Sequence, residues 1–234
     1  MEINYQDIKV IGFDADDTLW VNETYFREAE AEFCRLLSKY ETPNKIDQEL
    51  FKIEIDNLPL YGYGVKAFTL SMVESALQLS NYNISTKTID AILNIGKNML
   101  EKPVELLDSV ENVLKSLSKK YKLILATKGD LLDQERKLEK SGLTNYFHHI
   151  EVLSDKKEAN YSNLLNHLDI NPSQFLMIGN SLKSDVLPLV NIKAHAIHVP
   201  FHTTWAHEEV SEDEKNGKAY KTINSLIDLL KILE

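Results

Sequence analysis

The chain has few of the features that mark secreted, membrane-bound or nucleic-acid-binding proteins. It has a single cysteine, Cys34, among 234 residues, so no intramolecular disulfide can form and a reducing compartment is expected. Its formal net charge of −10 disfavours nucleic acid and anionic membranes as partners, because both require a basic surface. No stretch approaches the run of about 18 apolar residues that a membrane span requires. Residues 1–7 lack the basic start and apolar core of a signal peptide, so we expect a cytoplasmic protein.

The chain does contain enough apolar residues to bury a core, and enough length for one domain with an insertion. Hydrophobic residues make up 43% of the chain and charged residues 26%, which is typical of a globular protein. After Pro103, short apolar runs alternate with helical segments, and this order predicts a parallel sheet covered by helices on both faces. The segment from Val21 to Lys102 shows helical periods and no convincing strand. We therefore predict an α/β fold, in which a Rossmann-like parallel sheet core (residues 1–20 and 104–234) carries an inserted all-helical cap domain (residues 21–103).

Hydrophobic periodicity also predicts the individual elements. The predicted strands are Lys9–Phe13, Leu123–Ala126, Ile150–Leu153, Phe175–Ile178 and Ala194–Val199. The predicted helices are Glu23–Tyr40, Val65–Leu79, Thr86–Leu100, Asp108–Tyr121, Leu131–Ser141, Asn160–Leu168 and Ile223–Leu233. The segment Asp108–Glu111 has the pattern of a capping box. The polar segment Glu208–Lys218 is predicted to be a surface loop.

Polar residues follow the first four predicted strands at the point where each strand ends. In open α/β sheets, ligands bind outside the carboxyl ends of the strands, so these residues are expected to share one site. Their types are those of a metal-assisted phosphoryl-transfer site. In strand order they are Asp14, Asp16, Asp17 and Thr18, then Thr127, Lys128 and Gly129, then Asp155, Lys156 and Lys157, then Gly179, Asn180 and Ser181 with Asp185 one turn later.

Strand geometry sorts the three aspartates that follow the first strand. Asp14 and Asp16 are two positions apart and point to the same side, whereas Asp17 points elsewhere and is expected to be a solvated turn residue. Two carboxylates in one site push their pKa values apart, which gives one ionised nucleophile and one potential acid. Mg²⁺ prefers oxygen ligands and would relieve the repulsion between them. Taken alone, the pair is equally compatible with a turn or a helix cap.

Four segments together resemble the signatures of the haloacid-dehalogenase-like (HAD) hydrolase superfamily. The sequence from Asp14 to Thr18 is similar to its first motif, Asp-x-Asp-x-Thr, and Leu-Ile-Leu-Ala-Thr127 resembles the second, a strand that ends in Thr or Ser. Lys156 matches the third, and Gly179–Asp185 resembles the fourth, Gly-Asp-x-x-x-x-Asp. The helical insertion lies where this superfamily carries a helical cap, between the first two motifs.

The resemblance implies a mechanism with a role for each matched residue. Asp14 is then the nucleophile that forms an aspartyl-phosphate, and Asp16 is the general acid and base. The implied Mg²⁺ is held by the carboxylates of Asp14 and Asp185 and by the backbone carbonyl of Asp16. Thr127 and Lys156 are implied to bind the phosphoryl group and offset its charge. Because dehalogenases lack the second aspartate, Asp16 favours phosphate esters over carbon–halogen bonds as the substrate.

Some assignments are less directly supported by the pattern. Asn180 stands where many relatives carry Asp, which removes one negative charge. Either metal binding is weaker as a result, or Asn180 acts on the metal through a bound water, so we expect it beside the ligands rather than among them. Lys128 is a candidate phosphate ligand, with its backbone N–H as one possible donor. Tyr63, with Tyr61 and Lys66, is a candidate substrate contact in a loop of the insertion, although an ordinary connecting loop fits equally well. Lys128 and Tyr63 are thus the further candidates for binding the substrate.

The sequence thus predicts a Mg²⁺-dependent phosphoric monoester hydrolase that acts on a small phosphorylated metabolite. A phosphotransferase or sugar-phosphate mutase of the same superfamily is an alternative, because it would use the same residues. A non-catalytic protein that binds a phosphorylated ligand is another, and Asn180 is the hint for it. A signalling receiver domain fits poorly, because such domains are shorter and lack a long helical insertion.

Overall fold

The computed structural model describes residues 5–233, which divide by their internal packing into two compact units. The α/β unit takes in the described positions up to Glu23, the segment Val104–Lys128 and the positions from Gln134 onward. The helical unit consists of Thr24–Pro103 and the short segment Gly129–Asp133. Within residues 5–233, no helix combines the length and apolar character needed to cross a bilayer.

The α/β unit is built on a parallel sheet of six strands in the order β3-β2-β1-β4-β5-β6, which confirms the predicted fold class. The first strand, β1, lies at the centre between β2 and β4. Parallel pairing therefore brings the carboxyl ends of these three strands to one edge of the sheet. The strands are β1 (Val10–Phe13), β2 (Lys122–Lys128), β3 (His149–Leu153), β4 (Phe175–Gly179), β5 (His195–His198) and β6 (Lys221–Thr222).

Side chains alternate across the sheet, and both of its faces are buried. Ile11 and Phe13 of β1 lie in one apolar cluster, and Val10 lies in the cluster on the opposite side. Leu123 and Ile124 of β2 divide in the same way. This two-sided burial explains why the strands read as continuous apolar runs without polar alternation. The helices of this unit are α5 (Val110–Leu117), α6 (Leu131–Ser141), α7 (Glu158–His167), α8 (Leu187–Asn191), α9 (Glu212–Lys215) and α10 (Asp228–Leu233), of which α6 begins in the helical unit.

The helical unit contains one helix that the sequence pattern did not predict. Its four helices are α1 (Glu23–Leu37), α2 (Pro43–Tyr61), α3 (Val65–Leu79) and α4 (Thr86–Glu101), and they pack around their own apolar cluster. The missed helix, α2, begins with Pro43 in its first turn, a position that tolerates proline, but it also holds Pro59 near its end. That second proline breaks the helical pattern in the sequence.

Three predicted boundaries need correction. Helix α5 begins at Val110, and Ser109 before it adopts a left-handed backbone (φ 66°) without a side-chain cap, so the predicted capping box does not form. The C-terminal helix begins at Asp228 rather than Ile223, because residues 224–227 form bends and turns after the short strand β6. Helix α1 ends at Leu37 and does not reach Tyr40. Propensity and periodicity locate elements well but not their ends.

The prediction that Asp17 is solvated is wrong, because the residue is buried and ties the turn after β1 to the start of α1. It is 6% exposed and has a left-handed backbone (φ 63°), which Asp tolerates better than most residues. Its carboxyl group accepts hydrogen bonds from the backbone N–H of Asn22 at 2.8 Å and of Glu23 at 3.0 Å. Desolvation by burial raises the pKa of Asp17 to about 8, so the group is largely protonated at neutral pH.

Asp17→Ala should therefore destabilise the fold more than Asp17→Asn does. Alanine loses both accepted hydrogen bonds and resists the left-handed backbone, which together cost about 2–3 kcal/mol. The neutral amide of asparagine keeps an acceptor and tolerates that backbone, so we expect less than half of this loss. Urea unfolding at pH 7 measures the difference. Equal stability of the Ala and Asn variants would contradict the capping role.

Candidate active site

Two buried carboxylates and one buried ammonium group meet at the carboxyl edge of the sheet. Lys156 Nζ donates to Asp14 Oδ1 at 2.5 Å and to Asp185 Oδ1 at 2.6 Å. The exposed fractions are 6% for Asp14, 1% for Asp185 and 2% for Lys156. The neighbouring Lys157 instead extends into solvent and pairs with Asp155 at 2.7 Å. The structure thus brings three of the predicted site residues into direct contact.

The elements that carry these side chains explain the contact. Asp14 directly follows β1, Lys156 precedes α7, and Asp185 lies in the single π-helical turn Leu182–Val186 after β4. The last residue of β4 is Gly179, where an added Cβ would lie 2.3 Å from Asp185 Cγ. Only glycine therefore allows the Asp185 carboxylate to lie over the end of its own strand.

Hydrogen bonds fix the second oxygen of each carboxylate. Asp14 Oδ2 accepts from the Thr18 hydroxyl at 3.0 Å, and Asp185 Oδ2 accepts from the backbone N–H of Ser181 at 3.0 Å. The Thr18 hydroxyl also accepts from the backbone N–H of Asn180 at 3.1 Å. Asn180 Oδ1 lies 3.2 Å from the same hydroxyl. Asn180 is therefore linked to the Asp14 carboxylate through Thr18.

Burial and mutual charge control the protonation of this cluster. Desolvation and repulsion from Asp185 outweigh the attraction of Lys156 and raise the pKa of Asp14 to about 7. Desolvation opposes the charge on Lys156, but the two carboxylates outweigh it and raise the pKa of Lys156 well above its usual value. Lys156 therefore stays a cation, and additional positive charge near Asp14 would favour the ionised carboxylate there.

Asp16 does not share the contacts of Asp14. Its Oδ1 accepts from Trp20 Nε1 at 2.7 Å and from Lys137 Nζ at 2.6 Å, and its Oδ2 accepts from Gln134 Nε2 at 2.9 Å. Sequence reasoning did not find Gln134 and Lys137 as site residues. The sequence did carry a signal for these two residues. Residues three apart on a helix lie on the same face, and the helix that carries both begins shortly after the predicted strand Leu123–Ala126.

The two residues at the end of β2 have different surroundings. Thr127 is buried, and its hydroxyl donates to the backbone carbonyl of Lys128 at 3.1 Å. The ammonium group of Lys128 pairs with Glu208 Oε1 at 2.5 Å and donates to Ser184 Oγ at 2.9 Å. Glu208, which was predicted to lie in a surface loop, has a side chain only 12% exposed, because it also accepts from the hydroxyls of Ser181 and Ser184.

Tyr63 belongs to the helical unit, in the connection between α2 and α3. The glycines on either side of it, Gly62 and Gly64, have positive φ angles of 71° and 105°. Tyr61 is the last residue of α2 rather than part of a loop. Lys66, in the first turn of α3, pairs with Asp130 of the same unit at 2.8 Å. The role of Tyr63 in substrate binding stays a prediction.

The donor set at the sheet edge fits a hard divalent cation. Asp14 and Asp185 both lie within hydrogen-bond distance of one cationic nitrogen, so the two carboxylates belong to one site. Mg²⁺ in proteins commonly binds one or two carboxylates and keeps several waters. Within residues 5–233, no cluster of three or more His, Cys, Asp or Glu side chains could hold an ion. A Mg²⁺ ion would therefore need the Asp16 carbonyl and water as further ligands.

Known sequences resemble this chain over most of its length. A family model for haloacid dehalogenase-like hydrolases matches residues 8–192. Human N-acylneuraminate-9-phosphatase is 23% identical over 239 residues, which cover 97% of this chain and 94% of that protein. The mouse N-acylneuraminate-9-phosphatase is 24% identical over 190 residues, with 76% of this chain and 77% of that protein covered.

Solved structures share the architecture. A haloacid dehalogenase-like family hydrolase from Xanthomonas campestris superposes with a TM-score of 0.86 at 36% identity, over 97% of this chain and 92% of that one. The HAD hydrolase YfnB from Bacillus subtilis, whose crystals contain bound magnesium, superposes with a TM-score of 0.64 over 97% of this chain and 99% of that one. Its 19% identity supports the fold alone. Since the family model spans most of the sequence and the four motifs follow the strands in order, this chain belongs to the haloacid dehalogenase-like hydrolase family.

Proposed function

We propose that this protein is a Mg²⁺-dependent phosphatase that hydrolyses a small phosphorylated metabolite through an aspartyl-phosphate on Asp14. The observation that carries the proposal is the pair of buried carboxylates, Asp14 and Asp185, which meet one ammonium group at the carboxyl edge of the sheet. Curated relatives that are phosphatases support the reaction class. The magnesium bound to the B. subtilis structure supports the choice of ion.

In the proposed first half-reaction, a carboxylate oxygen of Asp14 attacks the phosphorus of the substrate. The bond from phosphorus to the ester oxygen breaks, and its electron pair leaves with the substrate's alkoxide. That alkoxide takes a proton from the Asp16 carboxyl group. The products of this step are the alcohol and a phosphoryl group on Asp14.

In the second half-reaction, water attacks the phosphorus of the aspartyl-phosphate. The attacking water gives a proton to Asp16, and the bond from phosphorus to Asp14 breaks. The electron pair returns to the Asp14 carboxylate, and inorganic phosphate is released. A phosphotransferase would use a second alcohol in place of water, so the chemical identity of the acceptor separates the two functions.

The remaining residues stabilise charge. Lys156 contacts the nucleophile directly, so it offsets the charge that approaches with the phosphoryl group. The Thr127 hydroxyl donates to the Lys128 carbonyl in this structure, and it would turn to donate to a phosphoryl oxygen when substrate binds. Bound Mg²⁺ would be held by the carboxylates of Asp14 and Asp185 and the backbone carbonyl of Asp16, and it would stabilise negative charge on the phosphoryl oxygens.

Two assignments concern the substrate side of the site. Lys128 is proposed to contact phosphate through its backbone N–H, because its ammonium group is already paired with Glu208. The helical unit is proposed to act as a cap, with Tyr63 as a contact for the part of the substrate beyond the phosphate.

Asp14→Asn should abolish the hydrolysis of p-nitrophenyl phosphate, because the amide cannot form the aspartyl-phosphate. We expect kcat to fall by at least about a thousandfold, and removal of Mg²⁺ with a chelator to have a comparable effect. Asp213→Asn, an exposed aspartate on α9, is the control. Activity that survives either treatment would contradict the mechanism, and transfer of phosphate to an added alcohol in place of water would favour the phosphotransferase.

Asn180→Asp should strengthen Mg²⁺ binding, because it restores a negative charge beside Thr18 and Asp14. We expect the Mg²⁺ concentration for half-saturation to fall several-fold, since affinity for hard cations rises with ligand charge. Isothermal titration calorimetry measures this directly, without any substrate. Asn98→Asp, at an exposed position in the helical unit, adds the same charge elsewhere. An unchanged or weaker affinity in Asn180→Asp would place Asn180 outside the reach of the ion.

Glu208→Gln should remove part of the protein's sensitivity to acid. Burial alone would raise the pKa of Glu208, but the charge and hydrogen bond of Lys128 and the two serine hydroxyls outweigh it and lower the pKa to about 2. The Glu208 carboxylate therefore stabilises the fold at pH values above about 4.3, which is the pKa of glutamate in the unfolded chain. This stabilisation is lost as the pH falls toward 2. Between pH 7 and pH 3.5 the native chain should lose about 1 kcal/mol more than the variant.

Urea unfolding at the two pH values measures the difference that Glu208→Gln makes. Glu209→Gln is the matched control, because Glu209 is the adjacent glutamate and is exposed. Identical pH dependence in native protein and in Glu208→Gln would mean that the Lys128–Glu208 pair is not held in solution.

A further inference from the structure

The Asp16 carboxylate is surrounded by groups that can only donate hydrogen bonds. Trp20 Nε1 and Lys137 Nζ both donate to Oδ1, at 2.7 Å and 2.6 Å, and Gln134 Nε2 donates to Oδ2 at 2.9 Å. An indole N–H and an ammonium group have no acceptor to offer. The arrangement therefore holds both oxygens of the Asp16 carboxyl group in fixed positions.

A backbone contact fixes the orientation of the Gln134 amide. Gln134 Nε2 donates to the Lys128 carbonyl oxygen at 2.9 Å as well as to Asp16. A flipped amide would turn its oxygen toward two acceptors and would lose both bonds. Gln134 is 2% exposed, and its Oε1 is buried without a hydrogen-bond partner among the described residues. A buried acceptor without a hydrogen-bond partner costs stability. The orientation of this amide is therefore set by the two hydrogen bonds that its nitrogen donates.

Counting lone pairs locates the open position on Asp16. A carboxylate oxygen offers two acceptor sites. Within residues 5–233, Oδ1 accepts two hydrogen bonds and Oδ2 accepts one, so a single site on Oδ2 stays available. The Lys137–Asp16 pair has exposed fractions of 18% and 24%, and an ion pair this close to solvent adds little stability. Its main effect is to hold the carboxylate in one orientation.

We propose that Gln134 and Lys137 are positioning residues that hold Asp16 as the general base for hydrolysis of the aspartyl-phosphate. This inference rests on the proposed function. In the step concerned, the oxygen of water bonds to phosphorus and one water proton moves to the open site on Asp16 Oδ2. The bond from phosphorus to Asp14 breaks, and its electron pair returns to the Asp14 carboxylate.

Lys137→Met should slow hydrolysis of the aspartyl-phosphate. It should leave formation of the aspartyl-phosphate unchanged for a substrate whose leaving group needs no proton. With p-nitrophenyl phosphate, kcat/KM reports only formation of the aspartyl-phosphate, whereas kcat includes its hydrolysis. We expect kcat to fall by about tenfold or more with kcat/KM within about twofold of the native value, so KM falls together with kcat. Rapid mixing should show a burst of nitrophenol close to one equivalent per active site.

Two further variants separate positioning from general damage. Lys137→Arg keeps the cation and should recover most of the lost kcat. Lys140→Met removes an exposed lysine from the same helix and should match the native protein. A variant that is merely misfolded would lower kcat and kcat/KM by the same factor, and thermal unfolding identifies it independently.

The outcomes distinguish the two proposals. Parallel loss of kcat and kcat/KM in a Lys137→Met protein that unfolds at the native temperature, or no change in either constant, overturns the positioning role and leaves the phosphatase proposal intact. A native chain without Mg²⁺-dependent phosphatase activity overturns both. A lowered kcat with an unchanged kcat/KM and a burst supports the positioning role, because only a defect after formation of the aspartyl-phosphate produces that combination.

Discussion

The site depends on one balance of charge, in which two buried carboxylates share one buried ammonium group. An isolated buried carboxylate costs several kcal/mol, and the Lys156 ammonium offsets this cost for Asp14 and Asp185 together. The parallel order of the sheet makes the contact possible, because β1 lies directly beside β4. Gly179 completes it by leaving room for Asp185 at the end of β4. The cluster still carries excess negative charge, which favours the binding of a further cation.

The three clustered aspartates have different partners, and the proposed mechanism gives Asp14 and Asp16 different tasks. Asp14 faces the buried ammonium group, Asp16 faces donors on α6, and Asp17 caps the chain where α1 begins. A nucleophile must be ionised and reach the phosphorus, whereas a proton carrier must exchange with substrate and water. Different surroundings for Asp14 and Asp16 allow one strand end to supply both groups.

Much of the fold, but only part of the site, could be predicted from the sequence. The strands were predictable because both sheet faces are buried, and α3 was predictable to the residue because its apolar positions repeat at helical spacing. The end of α6 was predictable because Gly142 follows it. Lys156 and Asp185 are 29 positions apart, and no local pattern encodes their contact, so only the family motifs indicated them. Glu208 was missed because its burial arises from Lys128, which lies 80 positions away in the chain. Helix α2 was missed because proline disrupts its pattern.

The most direct test of the central claim is to find the phosphoryl group on the protein during turnover. A phosphate ester is mixed with the Mg²⁺-loaded protein, the reaction is quenched in acid, and the peptide that contains Asp14 is examined by mass spectrometry. The account predicts that this peptide carries one phosphoryl group at Asp14. A phosphoryl group on a different side chain, or turnover that never labels this peptide, would contradict the account.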